Sequence, residues 1–331
     1  MADVILKSQP NSSSVHVNAP LTNVSIAYIQ SAADFISDKV FPVVPVDKQS
    51  DIYWVYTKND WFRDEASKRA PATESKGSGY NLDSSNTYYA HVWAFHKDVA
   101  DQVRANADFG IDVDRDATTF VTQRLMLRRE REWHANNFVT GKWGKDYAGV
   151  ANGEVPGTSF RKWSDFTGSD PVNDVKVGRM YIKSITGFRP NTLVLQEEVF
   201  ETLKLHPDII DRYKYTNSSV ITADMLARLF EVDRILVSGA VYATNNEGGT
   251  GAYSFVGGKG ALLCYSAPNP GLLVPSAGYT FAWKGLSSLG YSTAISTFRM
   301  EHLKADRVEG ECSFDQKIVA SDLGVFFTDA A

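Results

Sequence analysis

Three places in this chain carry residue types that could do chemistry, and each fails on spacing. Gly257-Gly258-Lys259-Gly260 is similar to a loop that cradles phosphates with backbone amides and a lysine. The glycine needed five residues before Gly258 is Tyr253, however, and Gly260 stands where a serine or threonine would have to meet magnesium. Asp112-Val113-Asp114-Arg115-Asp116 has the alternating carboxylates of a calcium loop, but its sixth and twelfth positions are Ala117 and Gln123, where that loop needs glycine and a bidentate glutamate. Capping of a helix that starts here accounts for those aspartates better. His91 and His96 are the closest histidine pair, and an odd separation on a strand sends them to opposite faces, away from any common metal. The lone histidines at 16, 134, 206 and 302 read as structural or surface residues. There is no Gly-x-Ser-x-Gly elbow, no His-Glu-x-x-His pair and no singled-out carboxylate pair, so no catalytic residue, cofactor site or metal site is expected.

The elements around these residues describe a different kind of protein. The chain has 331 residues, enough for one large or two modest domains, and a net charge of −5 that disfavours a dedicated nucleic-acid binder. Two cysteines, Cys264 and Cys312, make neither a disulfide framework nor a zinc spacing and suit a reducing compartment. No stretch reaches the roughly 20 apolar residues of a membrane helix. Val4-Ile5-Leu6 is too short for the apolar core of a signal peptide, so a soluble product of the cytoplasm is expected.

Residues 1–22 are polar and read as an extended arm; Asn23 can then cap a helix with the stripe Ile26, Ile29, Ala33, Ile36 and Val40, stopped by Pro42 and Pro45. Residues 52–57 and 87–96 are aromatic strand candidates, and the segment between them carries five acidic and five basic residues. That pattern predicts a two-stranded ribbon projecting from the body, with aromatics that want a partner surface. A helix from about 114 to 139, roughly 39 Å long, has the apolar stripe Ala117, Phe120, Val121 and Leu125. Its second half is densely charged, as a solvated face with i,i+4 pairs or as a face toward other subunits or DNA. Residues 141–169 read as loop. Asp170-Pro171 opens a second helix that Gly187 stops, Thr222 caps another, and a helix covers 197–205. Strands are expected at 192–195, 234–237, 241–242, 261–264 and 279–283, with two closing strands between 298 and 327. Helices and strands mixed in this way suggest an α/β or α+β body; with the resemblance below, the expected class is α+β.

That order of parts resembles a tailed-phage major capsid protein with the Hong Kong 97-type fold. The likeness rests on element order over nearly the full length, including the proline-rich approach to Tyr279-Thr280-Phe281-Ala282-Trp283, and no short motif fixes it. In that family's terms, residues 1–46 correspond to the N-terminal arm and short helix, and 47–97 to the extended E-loop. Residues 98–169 and 286–331 correspond to the peripheral (P) domain with a spine helix at about 114–140, and 170–285 to the axial (A) domain. The resemblance implies self-assembly through pentamers and hexamers into an icosahedral shell around the genome, in a virion assembled in the host cytoplasm. It also implies a separate scaffolding protein and a portal, non-specific contact with packaged DNA and no membrane. Trp54, Tyr56, Trp61, Phe62, Arg63, Tyr89 and Trp93 are the expected contacts between subunits, and Arg124, Arg128 and Arg131 a basic helix face. The alternatives are an encapsulin-like nanocompartment shell, another virion structural protein, or an enzyme with an unrecognised site.

Overall fold

The computed structural model describes residues 29–107, 112–213, 221–246, 248–271, 273–286 and 293–331. The expected arm at 1–22 lies outside them. The long helix runs from Val113 to Asn137, and Asp112 caps it, its side chain accepting from the Arg115 amide at 3.0 Å. Asp114 and Asp116 put negative charge in the first turn, where the helix dipole favours it. Ala117, Val121 and Leu125, four residues apart, pack with Val99, Val308, Cys312 and Phe314 into one core. Farther along, Trp133 enters a second, larger core that holds Phe138, Leu193, Leu262 and Phe326. The helix is therefore shared by two cores, which an apolar stripe confined to its first half does not announce.

Each core has its own sheet. In the five-stranded sheet the order is Val43–Val46, Gly278–Trp283, Ala305–Ile318, Thr293–Met300, and His91–Ala100 also pairs with Ala305–Ile318. The 305–318 strand is its hub, pairing with three others along its length. The six-stranded sheet runs Arg234–Ser238, Thr192–Gln196, Ala261–Cys264, Gly324–Thr328, Lys145–Val150, Ser159–Arg161. A helix over Pro171–Thr186 covers it, with Asp170 accepting from the Asn173 amide and Gly187 closing the helix at φ 78°. Gly178 lets that helix approach, since a Cβ there would sit 3.1 Å from the Phe327 ring and 3.4 Å from Leu263.

The structure differs from the sequence reading in several places. The expected helix over 23–40 is, within the described residues, a 3-10 turn at Ala32–Asp34 and a single α turn at Ser37–Val40. Ser31 caps the first turn, and Phe35 breaks it in extended conformation so that Phe35, Ile36, Val40 and Phe41 can all be buried. The 52–57 strand divides into Ser50–Ile52 and Val55–Tyr56. The 87–96 strand breaks at Ala90, fully buried and bonded to the Gln49 backbone, so Thr87–Tyr89 stays in the ribbon while His91–Ala100 joins the five-stranded sheet. The 141–169 loop contains two strands, and the closing region has three rather than two. The last of these, Gly324–Thr328, sits inside the six-stranded sheet and does not return with 305–318.

Gly310 marks where the long helix meets the hub strand: a Cβ there would lie 2.5 Å from Val121 Cγ1 and 2.9 Å from Leu125 Cδ1. Gly310→Val therefore overpacks this joint and is expected to cost about 1–3 kcal/mol. Chemical unfolding of the purified variant measures it, and an unchanged midpoint would show that the helix does not press on this strand as described.

Candidate assembly surface

The ribbon is built by two short antiparallel pairings, Ser50–Ile52 with Thr87–Tyr89 and Val55–Tyr56 with Leu82–Asp83. At its outer end Lys58–Trp61 forms one helical turn, and the Asp60 carboxylate accepts from the Asn81 amide at 2.9 Å. Tyr56, Trp61 and Tyr80 meet there, with ring centroids 5.7 to 6.0 Å apart. Trp61 is 58% exposed, and Trp54, Phe62 and Tyr80 are exposed to a similar degree. Arg63 pairs with Asp60 at 3.4 Å and faces Glu65 at 4.0 Å. Lys58 forms an ion pair with Asp322, and Phe62 stands over Gly187, so in the single chain this tip lies near its own body. Tyr89 is exposed, packs edge-on to His91 and donates its amide to Asp315 at 2.9 Å. Trp93 is half-buried, stacked on Phe314 and covered by Arg128, so its own chain uses it. Tyr80 was not among the expected contacts; an isolated tyrosine between Gly79 and Asn81 gives no strand pattern to single it out.

The three arginines expected as a basic helix face are engaged with aromatic rings. Arg124 lies 5.1 Å from the Phe120 ring, Arg128 4.0 Å from Trp93 and Arg131 4.3 Å from Tyr242. Arg128 also pairs with Glu132 at 2.8 Å, the i,i+4 contact expected of a charged helix. The intervening residues turn inward. Arg129 pairs with Asp38 at 2.8 Å, and Glu130 is 0% exposed. One oxygen of Glu130 accepts from the amides of Ile36 at 3.1 Å and Ser37 at 2.9 Å, which start the short helical turn there. Burial holds the Glu130 carboxyl above its ordinary pKa, against the opposing pull of those two amides. His134, one turn on, has its Nδ1 3.0 Å from the Glu130 carbonyl and its Nε2 3.0 Å from the Gln196 side-chain nitrogen. Burial pushes its pKa down to about 4, so the ring is neutral, donating from Nδ1 to the carbonyl and accepting at Nε2 from the amide. Arg129, Glu130 and Gln196 were missed by sequence reasoning, because a charge inside an Arg/Glu run gives no sign of which member is buried.

One constellation has the composition of a hydrolytic triad. Ser169 Oγ lies 3.0 Å from His206 Nε2, and His206 Nδ1 is 3.9 Å from the Asp208 carboxylate. The roles run the wrong way for a nucleophile. Nδ1 accepts from the Asp208 amide at 3.3 Å, which leaves the ring proton on Nε2 pointing at Ser169, and the serine hydroxyl donates to the Asp165 carbonyl at 2.7 Å. The group ties a turn to a helix start. Asp174, raised to about 6 chiefly by burial, accepts from the Trp163 indole at 3.0 Å and closes a core edge. The 257–260 run is structural as well: Lys259 pairs with Glu198 at 3.4 Å, and Gly260 lets Phe326 and Phe138 approach. Both cysteines are buried, and burial raises their thiols to about 12 at Cys264 and about 11 at Cys312. Among the described residues no cluster of three or more His, Cys, Asp or Glu could hold a metal, and no helix is long and apolar enough to cross a membrane.

No protein-family profile matches the chain. It is 26% identical over 314 residues to the major capsid protein of Burkholderia phage BcepMu, covering 93% of this chain and 94% of that one. It is 25% identical over 319 residues to the major capsid protein of Pseudomonas phage JBD67, covering 95% and 97%. Among solved structures, a phage-related protein from Bordetella bronchiseptica RB50 superposes with a TM-score of 0.69 at 25% identity, over 91% of this chain and 93% of that one. The capsid of Cyanophage P-SCSP1u gives 0.58 at 12% identity over 92% and 90%. The SrpI encapsulin of Synechococcus elongatus gives 0.55 at 12% identity over 94% and 93%. The fold is thus that of phage capsid subunits, and the likeness to the two curated major capsid proteins spans more than nine-tenths of each chain.

Glu130→Ala leaves two buried amides without their acceptor and is expected to cost about 2–4 kcal/mol, whereas Glu130→Gln keeps a side-chain oxygen for them and costs clearly less. Denaturant midpoints of the two variants check this, and equal losses would show that the carboxylate's hydrogen bonds to Ile36 and Ser37 are not what holds the segment.

Proposed function

We propose that this chain is a phage major capsid protein, a subunit that assembles with copies of itself into the closed shell of the virion. The observation that carries the reading is likeness to two major capsid proteins over more than nine-tenths of each chain, on the fold of solved capsid subunits. The finer picture is a shell of pentamers and hexamers, built in the host cytoplasm on a separate scaffolding protein with a portal at one vertex and packaged DNA inside. The aromatic ribbon tip supports the proposed mode of contact. Exposed Trp54, Trp61, Phe62 and Tyr80 on a narrow two-stranded ribbon bury their area best on another subunit. Heterologous contacts of this kind close into rings, and a shell multiplies each weak contact through avidity. Arg124, Arg128 and Arg131 engage rings of their own chain, which supports non-specific rather than dedicated contact with packaged DNA. An encapsulin-like shell shares the fold, but both curated sequence relatives are phage proteins.

Expression of the chain, alone and with its genome neighbours, followed by negative-stain electron microscopy, tests the reading: closed shells or rings of five and six are expected, and open tubes or a persistent monomer would overturn it. Replacing exposed Trp54, Trp61, Phe62 and Tyr80 by serine keeps both ribbon pairings, which use none of them. The expected result is a body that unfolds within about 0.5 kcal/mol of the parent while closed shells disappear. Intact shells from that variant would remove the ribbon tip from the assembly contact.

A further inference from the structure

The Glu130–His134–Gln196 chain joins three parts that are far apart in sequence. Glu130 and His134 lie on the long helix, Ile36 and Ser37 on the segment that leads into the body, and Gln196 ends the 192–196 strand of the six-stranded sheet. Glu130, His134 and Gln196 are all nearly or fully buried. The arrangement is complete for a neutral imidazole, yet two buried oxygens are left over: Glu130 Oε1 and Gln196 Oε1 have no hydrogen-bond partner among the described residues. Both belong to the side chains that flank the ring. We propose that this chain is a proton-operated clasp, closed while His134 is neutral and opened when it takes up a proton.

The consequence of that proton follows from the geometry. Nε2 changes from acceptor to donor and then faces the NH₂ of Gln196 at 3.0 Å, so the amide must turn over and present Oε1. On the other side Nδ1 lies 3.6 Å from Glu130 Oε1, and a positive ring draws that oxygen in. The same motion pulls the other oxygen from the Ile36 and Ser37 amides. The Gln196 amide lies against Gly257, where a Cβ would be 2.0 Å from Nε2, so the turn is also felt by the 253–259 loop. Burial sets the direction. Arg128, Arg131 and Glu132 share a cleft with the ring, Lys259 and Glu198 pair beside it, and Asp38, Lys39 and Arg129 face Glu130. The nearby carboxylates are largely matched by cations, so it is removal from water that keeps the ring neutral at neutral pH.

The sign is that of a buried neutral base: its folded value, about 4, lies below the ordinary 6.5, so the clasp is fully closed above about pH 6.5 and weakens as pH falls toward 4.

Hydrogen exchange of the purified full chain at pH 7.5 and 4.5, corrected for intrinsic rates, tests this. Protection of peptides covering 30–42 and 253–260 is expected to fall roughly tenfold or more at the lower pH, while a peptide within 305–318 keeps its protection. His134→Gln, which cannot titrate, is expected to remove both responses. An acid response that persists in His134→Gln, or none in the parent, overturns the proposal. Should that variant not fold, Gln196→Met serves instead: the 30–42 response stays and the 253–260 response vanishes, and a persisting loop response contradicts the clasp.

Discussion

A carboxylate with no access to solvent must find donors, and in this fold the position of Glu130 decides what those donors are. The long helix passes from one core to the other within its length, and Glu130 lies between Leu125, buried in the first core, and Trp133, buried in the second. At that crossing the leading segment supplies two backbone amides that no helix turn could otherwise satisfy. Satisfying the charge and starting the short turn are one interaction. It also sets Phe41 edge-on against Trp133 and Trp143, 5.6 and 6.2 Å away, so the segment is locked into the larger core. Loss of either partner strands the other, which is why such buried charges are costly to break.

With the helix shared between two cores, the large exposed aromatics of the ribbon are what the body does not absorb. Ribbon residues Val55–Tyr56 and Leu82–Asp83 pair with each other and bring an aromatic cluster outward. The Lys58–Asp322 pair that keeps the tip near its own body is an exposed ion pair, a weak kind of contact. The proposed shell would use this division, with one part alike in every position and slender parts that meet different surroundings.

Much of the fold was legible because it is written in local signals. Asp112, Asp170 and Thr222 are caps, Gly187 is a stop, and Leu193 to Leu195 and Ala261 to Cys264 are unbroken apolar runs of buried strands. The ribbon was visible in its aromatics. What failed had no local signature. The break at Ala90 depends on a hydrogen bond to Gln49, and the strand at Lys145–Val150 is polar enough to pass for loop until Gly324–Thr328 pairs with it. Arg128 to Glu132 reads as a solvated stripe in sequence, because burial of Glu130 is decided by a segment more than ninety residues away. The capsid reading survived these errors, since it rests on the order of large elements rather than on any single boundary.

Electron cryomicroscopy of assembled particles at side-chain resolution tests the central claim most directly. The account predicts that Glu130 still holds the Ile36 and Ser37 amides in every subunit of the shell, while the Tyr56–Trp61–Tyr80 tip rests on the neighbouring subunit. A tip that remains on its own body, with the Glu130 junction rearranged from one subunit position to the next, would contradict it.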